Sequence, residues 1–483
     1  MKDGAYGYDS YLSPFTWRYG SEEMRGLFSE TERRATWRRV WLGLAEAEAA
    51  MGLISKGELE GIRKSSGRES VDIGRAHEIE KKIRHDLMAE LRVFADQAQE
   101  GGGKLHLGAT SMDVEDNADA VIFGKALDIV SGRLTGCLEA AAVLVRRHKG
   151  TICMGWTHLQ PAEPTTLGYR FANYAQDLAM DIKLVGLVRR EFVKGKGVKG
   201  AVGTSASYKK LLGTAARVKG LEESVMSGLG IGAFEVATQT YPRKLDLLVL
   251  SALASVAASC AKFGLDLRVL QSPAFGELSE PIEEAQVGSS AMPFKRNPVT
   301  AERMCSLARI ASVMPLVAFM NASNSILERT LDDSAARRVA VPEAFLAVDE
   351  CLAIYDRLLR GIRVYPAMIR RNLERFGAFS GTEAVMMEMV AKGEDRQRAH
   401  ELIRVKSFEA WEAVMKGEPN PLEGLLSREK GVSSRVPRKR LRALMDPSTH
   451  TGLAEEACEE FLEGVVSPIL AKGRKAGRSR VEY

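Results

Sequence analysis

Residues 117–148 read NADAVIFGKALDIVSGRLTGCLEAAAVLVRRH, and this stretch decides the fold class. Ala120, Phe123, Leu127, Val130 and Leu134 recur three and four positions apart, the spacing that lines one face of a helix with apolar side chains. The same spacing runs through most of the chain, in segments dominated by Leu, Ala, Glu, Arg and Met, which favour helix. Alternating β-branched runs between turn signals are nearly absent, so an all-α fold is predicted. Long helical segments are expected from about Val114 to Arg363, among them the uncharged run Leu247–Ala261. A helix apolar on every side belongs in the middle of a bundle or an oligomer. Gly101-Gly102-Gly103 reads as a flexible break just before Leu107-Gly108-Ala109, and after Tyr365-Pro366 the helices turn shorter and more charged.

The 483 residues are ample to bury a sizeable core, and 45% hydrophobic with 27% charged residues excludes a disordered chain. The 68 Lys+Arg against 63 Asp+Glu leave +5. Over this length that excess does not suggest a nucleic-acid binder, but it suits cationic pockets for anionic substrates. The six cysteines have no CxxC pair and no regular spacing, which argues for reduced thiols and against a zinc ribbon or a disulfide framework. There is no HExxH and no Walker loop, and the GxG at Gly195–Gly197 follows no strand signal. Met1–Pro14 lacks the apolar stretch of a signal peptide, and Leu247–Ala261 falls short of the roughly 20 apolar residues of a membrane span. A soluble cytoplasmic protein is expected, with no membrane or nucleic-acid partner. The basic stretch Lys472–Arg480 reads as a solvated tail.

Five stretches carry residues that a structural helix does not need, and catalytic groups tend to sit on loops of this kind. In Gly288-Ser289-Ser290-Ala291-Met292-Pro293-Phe294-Lys295-Arg296-Asn297-Pro298, Gly and Pro exclude a regular helix, and fixed cations can lower the pKa of a serine base. A solvated surface turn accounts for the same residues. Trp156-Thr157-His158-Leu159-Gln160-Pro161-Ala162 carries one of seven histidines, the natural proton donor near neutral pH, although a lone histidine is commonly structural. Arg84-His85-Asp86 is placed within a helical stretch. Leu105–Ser111 offers hydroxyls and free amides ahead of a helix, suited to a phosphate or carboxylate. Ser111 can cap that helix while Thr110 binds. Glu328–Arg338 sets three arginines near Ser334, as an anion clamp or as a salt-bridged helix start using Asp332 and Asp333.

Gly288–Pro298 resembles the signature loop of the fumarase/aspartase superfamily, whose members eliminate fumarate from a substituted succinate. Within it, Arg18-Tyr19-Gly20-Ser21, Arg84-His85-Asp86, Gly108-Ala109-Thr110-Ser111, Thr157-His158-Leu159-Gln160-Pro161-Ala162, Gln239-Thr240-Tyr241 and Arg329-Thr330-Leu331-Asp332-Asp333-Ser334 resemble the adenylosuccinate lyase family in its longer, eukaryote-like type. The matches run in order from residue 18 to 338, about two-thirds of the chain. The C-terminal third agrees only in length and helical character, and Phe294 stands where members often have Tyr or His.

The resemblance implies three helical domains, 1–111, 112–363 and 364–483, the middle one a long-helix bundle carrying the loop near 288–298. It implies a homotetramer whose active sites each draw on three subunits. The implied activity is that of a C–N lyase without a cofactor or metal. Adenylosuccinate would give AMP and fumarate, and the succinocarboxamide ribotide SAICAR would give AICAR and fumarate. By the same resemblance Ser289 is the base, assisted by Lys295. His158 is the acid to the leaving nitrogen, Glu302 orients it, and His85 supports near the phosphate. Arg18, Tyr19, Arg329, Ser334 and Arg338 resemble phosphate and ribose contacts, with Arg84 and Asp86 flanking His85. Thr110, Ser111, Gln239, Lys295 and Asn297 resemble succinyl-side contacts, and Arg303 lines the site. The set Arg18, Arg329 and Arg338 argues against a sister enzyme such as argininosuccinate lyase, whose substrate has no phosphate. Intact Ser289, His158, Lys295 and Glu302 argue against a catalytically silent helical scaffold.

Overall fold

The computed structural model of the chain describes residues 9–281, 292 and 294–475. The helices that position the site are α1 (Glu30–Ala50), α2 (Ile73–Ile83), α3 (Asp86–Ala98), α4 (Ser111–His148), α5 (Leu167–Leu187), α6 (Lys244–Gln271), α7 (Val299–Ser323) and α8 (Asp333–Gly361). The C-terminal part is built of shorter helices, the longest being α9 (Arg396–Met415). Between α4 and α5 stands a hairpin of β1 (Ile152–Thr157) and β2 (Gln160–Thr166). The other strands among the described residues are two-residue pairs, Lys194–Gly195 with Gly232–Ala233 and Leu278–Ser279 with Arg363–Val364. The chain is all-α, as its periodicity predicts.

The apolar stripe read from the sequence is the buried face of α4: Ala120, Phe123, Leu127, Val130 and Leu134 are all inaccessible or nearly so. With 38 residues, α4 runs about 57 Å, long enough to pack on α1 near its start and on α5 and α8 along its length. α6 lies against α5, α7 and α8. Their aromatic rings interlock, with Phe263 of α6 stacked on Tyr355 of α8 at 4.5 Å and Tyr174 of α5 edge-on to Phe263 at 5.3 Å. All six cysteines are buried and unpaired.

A second core gathers Trp37, Trp41, Leu44, Leu91 and Phe94 against Val114 and Ala118 of α4. Buried Glu90 ties α3 to α1 by pairing with Arg38 at 2.7 Å and Arg34 at 3.2 Å. A third core lies among the C-terminal helices, around Met389, Ile403, Leu422 and Leu426. The glycines 101–103, expected as a flexible break, form part of a tight turn over Gln99–Lys104. A Cβ on Gly101 would stand 2.2 Å from the Glu58 carbonyl, and one on Gly102 2.2 Å from that of Ala95. Close packing explains these two glycines.

The run Leu247–Ala261 lies inside α6 and buries Val249, Leu250, Leu253, Val256, Ala257 and Cys260, while Ser251 and Ala258 are exposed. Both α6 and α7 have the length and hydropathy of a membrane-crossing helix, yet half and a third of their most apolar windows are buried against the rest of the chain. Asp246 in the first turn of α6 is buried and ion-paired with Arg337 at 2.6 Å. α6 thus packs into the core, whereas α7 leaves most of its apolar window unburied on the chain.

Glu48 on α1 is 1% exposed and its Oε1 has no hydrogen-bond partner. Burial pushes its carboxyl up to about 8, with Lys104 pulling the other way. The folded state therefore holds a proton that the unfolded chain releases near pH 4.5, so this group's contribution to stability is lost as pH rises through about 8. Glu48→Gln is expected to remove a fall in unfolding free energy of about 1.4 kcal/mol per pH unit between pH 4.5 and about 8, where the folded state alone holds the proton, read from urea unfolding at successive pH values.

Candidate active site

Arg84-His85-Asp86 does not lie within a helix, as the sequence suggested, but between two. Arg84 ends α2 in the left-handed region with φ 57°, and His85 is the extended N-cap of α3. The break turns His85 outward, where its Nε2 lies 3.4 Å from the Ser111 hydroxyl. Its Nδ1 accepts the Met88 amide at 3.4 Å. Asp86 accepts the Leu87 amide at 2.8 Å and an Arg338 guanidinium N–H at 2.5 Å. Burial would raise the Asp86 carboxyl, but the bond and charge of Arg338, the Leu87 amide and the charge of Arg33 hold it below the usual range.

The start of α4 is fixed by a buried carboxylate. Asp113 accepts the Thr110 amide at 3.0 Å, the Lys196 ammonium at 2.6 Å and the amides of Lys199 at 3.1 Å and Gly200 at 3.0 Å. Thr110, and not Ser111, occupies the N-cap position, so Ser111 begins the helix with its hydroxyl directed to His85. The helix N-terminus, with its positive dipole end, thus opens where Thr110 and Ser111 stand.

A network of ion pairs binds the remaining walls together. Arg243 donates to Asp116 of α4 at 2.9 Å and to Asp333 of α8 at 2.6 Å. Arg329 donates to the other oxygen of Asp333 at 2.8 Å. Arg337 donates to Asp119 at 2.9 Å, to Asp246 at 2.6 Å and to the Tyr241 hydroxyl at 2.6 Å, and that hydroxyl donates to Asp246 at 2.7 Å. The Gln239 amide donates to the Glu328 carbonyl at 3.1 Å, drawing the two loops together. Among the described residues the salt-bridged helix start is made by Asp333 and not by Asp332, and Arg329, Arg337 and Arg338 line a cavity.

That cavity has a volume of about 580 Å³. Arg84, His85 and Asp86 line one side, Thr110 and Ser111 another, and Gln239, Arg329, Ser334 and Arg338 close it. Four separated stretches of sequence meet there. Arg337, one of the three arginines read near Ser334, lines it too, whereas the reading of the sequence missed Arg33, Glu115 and Asp119. The run Asp113, Glu115, Asp116 and Asp119 carried the signal, since acids at the head of an otherwise apolar helix call for cations nearby. Arg33 gave no local signal. Its guanidinium lies 5.2 Å from the Trp37 ring centroid, and its Nε is buried without a hydrogen-bond partner.

Other expected site residues lie outside this cavity. Arg18 is exposed beside the Trp17 and Tyr19 rings, on a segment anchored to α8 by the Ser13 hydroxyl on Glu343 and the Gly20 amide on Glu350. His158 and Leu159 form the two-residue tip of the β1–β2 hairpin, with φ 55° and 58°, and both are exposed. Lys295 is exposed, as are Glu302 and Arg303 in the first turns of α7, and Asn297 is partly exposed. Among the described residues neither His158 nor Glu302 has a side-chain hydrogen-bond or ion-pair partner. Ser289 lies outside the described residues. One chain therefore carries a cavity lined by five arginines and five carboxylates and, apart from it, a histidine on an exposed turn.

Long bundled helices beside a cavity lined by arginines and hydroxyls describe the class. Residues 20–312 match the family described as Lyase, and residues 379–461 match the one described as Adenylosuccinate lyase C-terminus. The fold is similar to that of a fumarate lyase from Mesorhizobium, with a TM-score of 0.80 at 25% identity, covering 96% of this chain and 99% of that one. It is similar also to a 3-carboxy-cis,cis-muconate lactonizing enzyme from Pseudomonas putida, with a TM-score of 0.82 at 25% identity, covering 95% and 99%. The sequence is 39% identical over 473 residues to the adenylosuccinate lyase of Saccharomyces cerevisiae, covering 97% of both chains. It is 38% identical over 470 residues to that of Schistosoma mansoni, covering 96% of both. The chain belongs to the adenylosuccinate lyase family.

Proposed function

We propose that this C–N lyase eliminates fumarate from adenylosuccinate, giving AMP, and from SAICAR, giving AICAR. The observation that carries the reading is the convergence of Arg84, His85, Thr110, Ser111, Gln239, Arg329, Ser334 and Arg338 on one cavity. Each substrate brings two carboxylates and a phosphate, and the cavity meets them with guanidinium groups, hydroxyls and a helix N-terminus.

In a β-elimination a base removes the proton beside a carboxylate, charge accumulates on that carboxylate, and the nitrogen leaves with a proton from an acid. Fixed cations and dipoles where the charge develops are worth most in such a step. Ser289 is proposed as the base, with Lys295 stabilising its alkoxide. His158 is the acid, Glu302 orients it, and Asn297, Arg303, Arg18 and Tyr19 complete the substrate contacts.

Among the described residues, Arg18, Tyr19, His158, Lys295, Asn297, Glu302 and Arg303 do not line the cavity of their own chain, which supports an assembly in which neighbouring subunits supply them. The central helices have the surface for it: Met180, Leu184 and Leu187 of α5 and Val313, Leu316, Phe319 and Met320 of α7 are exposed apolar residues. A homotetramer with three subunits at each site is the proposed state. Purified protein incubated with adenylosuccinate should release fumarate and AMP, and with argininosuccinate it should release none. Turnover of argininosuccinate alone would overturn the assignment.

A further inference from the structure

Glu115 lies one helical turn beyond Ser111 on α4 and lines the same cavity. Its neighbours are largely committed elsewhere. Asp86 on α3 holds Arg338 at 2.5 Å, and Asp119, a further turn along α4, holds Arg337 at 2.9 Å. Asp116 is buried on Arg243 at 2.9 Å, and Glu80 on α2 stands 3.6 Å from Arg34. Arg33 of α1, Arg84 and His85 face the cavity from its other walls, and none of them forms an ion pair with Glu115. Among the described residues the Glu115 side chain has no hydrogen-bond or ion-pair partner.

An ionised carboxylate here would lie among Asp86, Asp116 and Asp119 and then meet an incoming polyanion. Two anions brought together in a water-poor cavity repel strongly. A carboxylic acid in the same place is a hydrogen-bond donor and fits against an oxyanion. We propose, building on the function above, that Glu115 is a substrate-binding residue that meets an oxyanion of the substrate as a neutral acid, so that binding is accompanied by retention of a proton on this side chain. The electrostatics agree: burial, then Asp86, Asp119 and Asp116, push the carboxyl up to about 8, with Arg338 opposing.

The oxyanion belongs to the phosphate or to the succinyl carboxylates, and the two products separate them, since AMP carries only the first and fumarate only the second. The test is KM and kcat for adenylosuccinate from pH 7 to 9.5, for the wild type and Glu115→Gln, with inhibition constants for AMP and fumarate at each pH. The phosphate is already a dianion throughout this range. The expected result is a wild-type KM rising by about tenfold per pH unit above about pH 8, with an inhibition constant for AMP or for fumarate rising in step. Glutamine stays neutral, so KM for Glu115→Gln should change less than about twofold over the range. A wild-type KM flat to pH 9.5 overturns the proposal without any variant. An equal rise in both proteins, or a pH dependence confined to kcat, overturns it as well. Absence of any turnover by the wild type would instead count against the proposed function.

Discussion

Replacing His158 by Ala is expected to lower kcat by about 10²–10⁴-fold, the usual worth of a positioned acid, while the chain folds and assembles as before. The structural argument is that His158 does no work for its own chain. It sits exposed at the tip of the hairpin, without a side-chain partner among the described residues. It holds φ 55° and Leu159 holds φ 58°, a conformation for which a two-residue hairpin turn ordinarily takes Asn-Gly. Left-handed backbone costs an ordinary residue about 1–2 kcal/mol. A double variant, His158→Asn with Leu159→Gly, is therefore expected to be at least as stable as the wild type in thermal unfolding and as inactive as His158→Ala. Strain kept on an exposed turn, at a histidine with no side-chain partner among the described residues, supports the proposed role in another chain's site. Normal turnover by either variant would remove His158 from the mechanism.

The second large effect is on stability. Arg243→Met should destabilise the fold by about 3–5 kcal/mol, because it leaves Asp116 buried without its ion-pair partner and Asp333 with Arg329 alone. Asp116 and Asp333 are both within 3% of full burial on the side chain, and Arg243 spans them at 2.9 and 2.6 Å. The loss reaches the site directly. Asp116 also accepts the Tyr241 amide at 2.7 Å, and Asp333 holds Arg329, so the loop at Gln239 and the wall at Arg329 and Ser334 would lose their common anchor. Urea unfolding of the variant measures the stability, and KM for adenylosuccinate should rise with it. A change under about 1 kcal/mol would mean that the network is spread over other pairs.

The all-α class was legible because α4, α6 and α8 are long, and the buried stripe of α4 repeats the sequence pattern without exception at Ala120, Phe123, Leu127, Val130 and Leu134. Local turns were less legible. Arg84-His85 read as helix because both flanks are helical, and only the left-handed Arg84 and the capping His85 reveal the break. Thr110 and Ser111 exchanged their expected duties because the cap is chosen by Asp113, whose position depends on Lys196 and Gly200 far along the chain. The arginines of Glu328–Arg338 were visible, but not their partners. Arg243, Asp116 and Asp246 reach the network only through tertiary packing, and no local spacing announces a pair more than a hundred residues apart such as Arg243 with Asp116. The glycines 101 and 102 misled for the same reason, since the carbonyls that exclude a Cβ come from Glu58 and Ala95.

The central claim is that fumarate leaves when His158 of one subunit acts in a cavity built by another. Mixing inactive His158→Ala protein with inactive His85→Ala protein, under conditions that exchange subunits, tests it most directly. Each parent lacks a different part of every site, and a mixed assembly contains some sites with His158 from one chain and His85 from another. Fumarate release from adenylosuccinate should reappear in the exchanged mixture and stay absent in either parent alone. A mixture that exchanges subunits, verified by a mass tag, and stays as inactive as its parents would contradict the account.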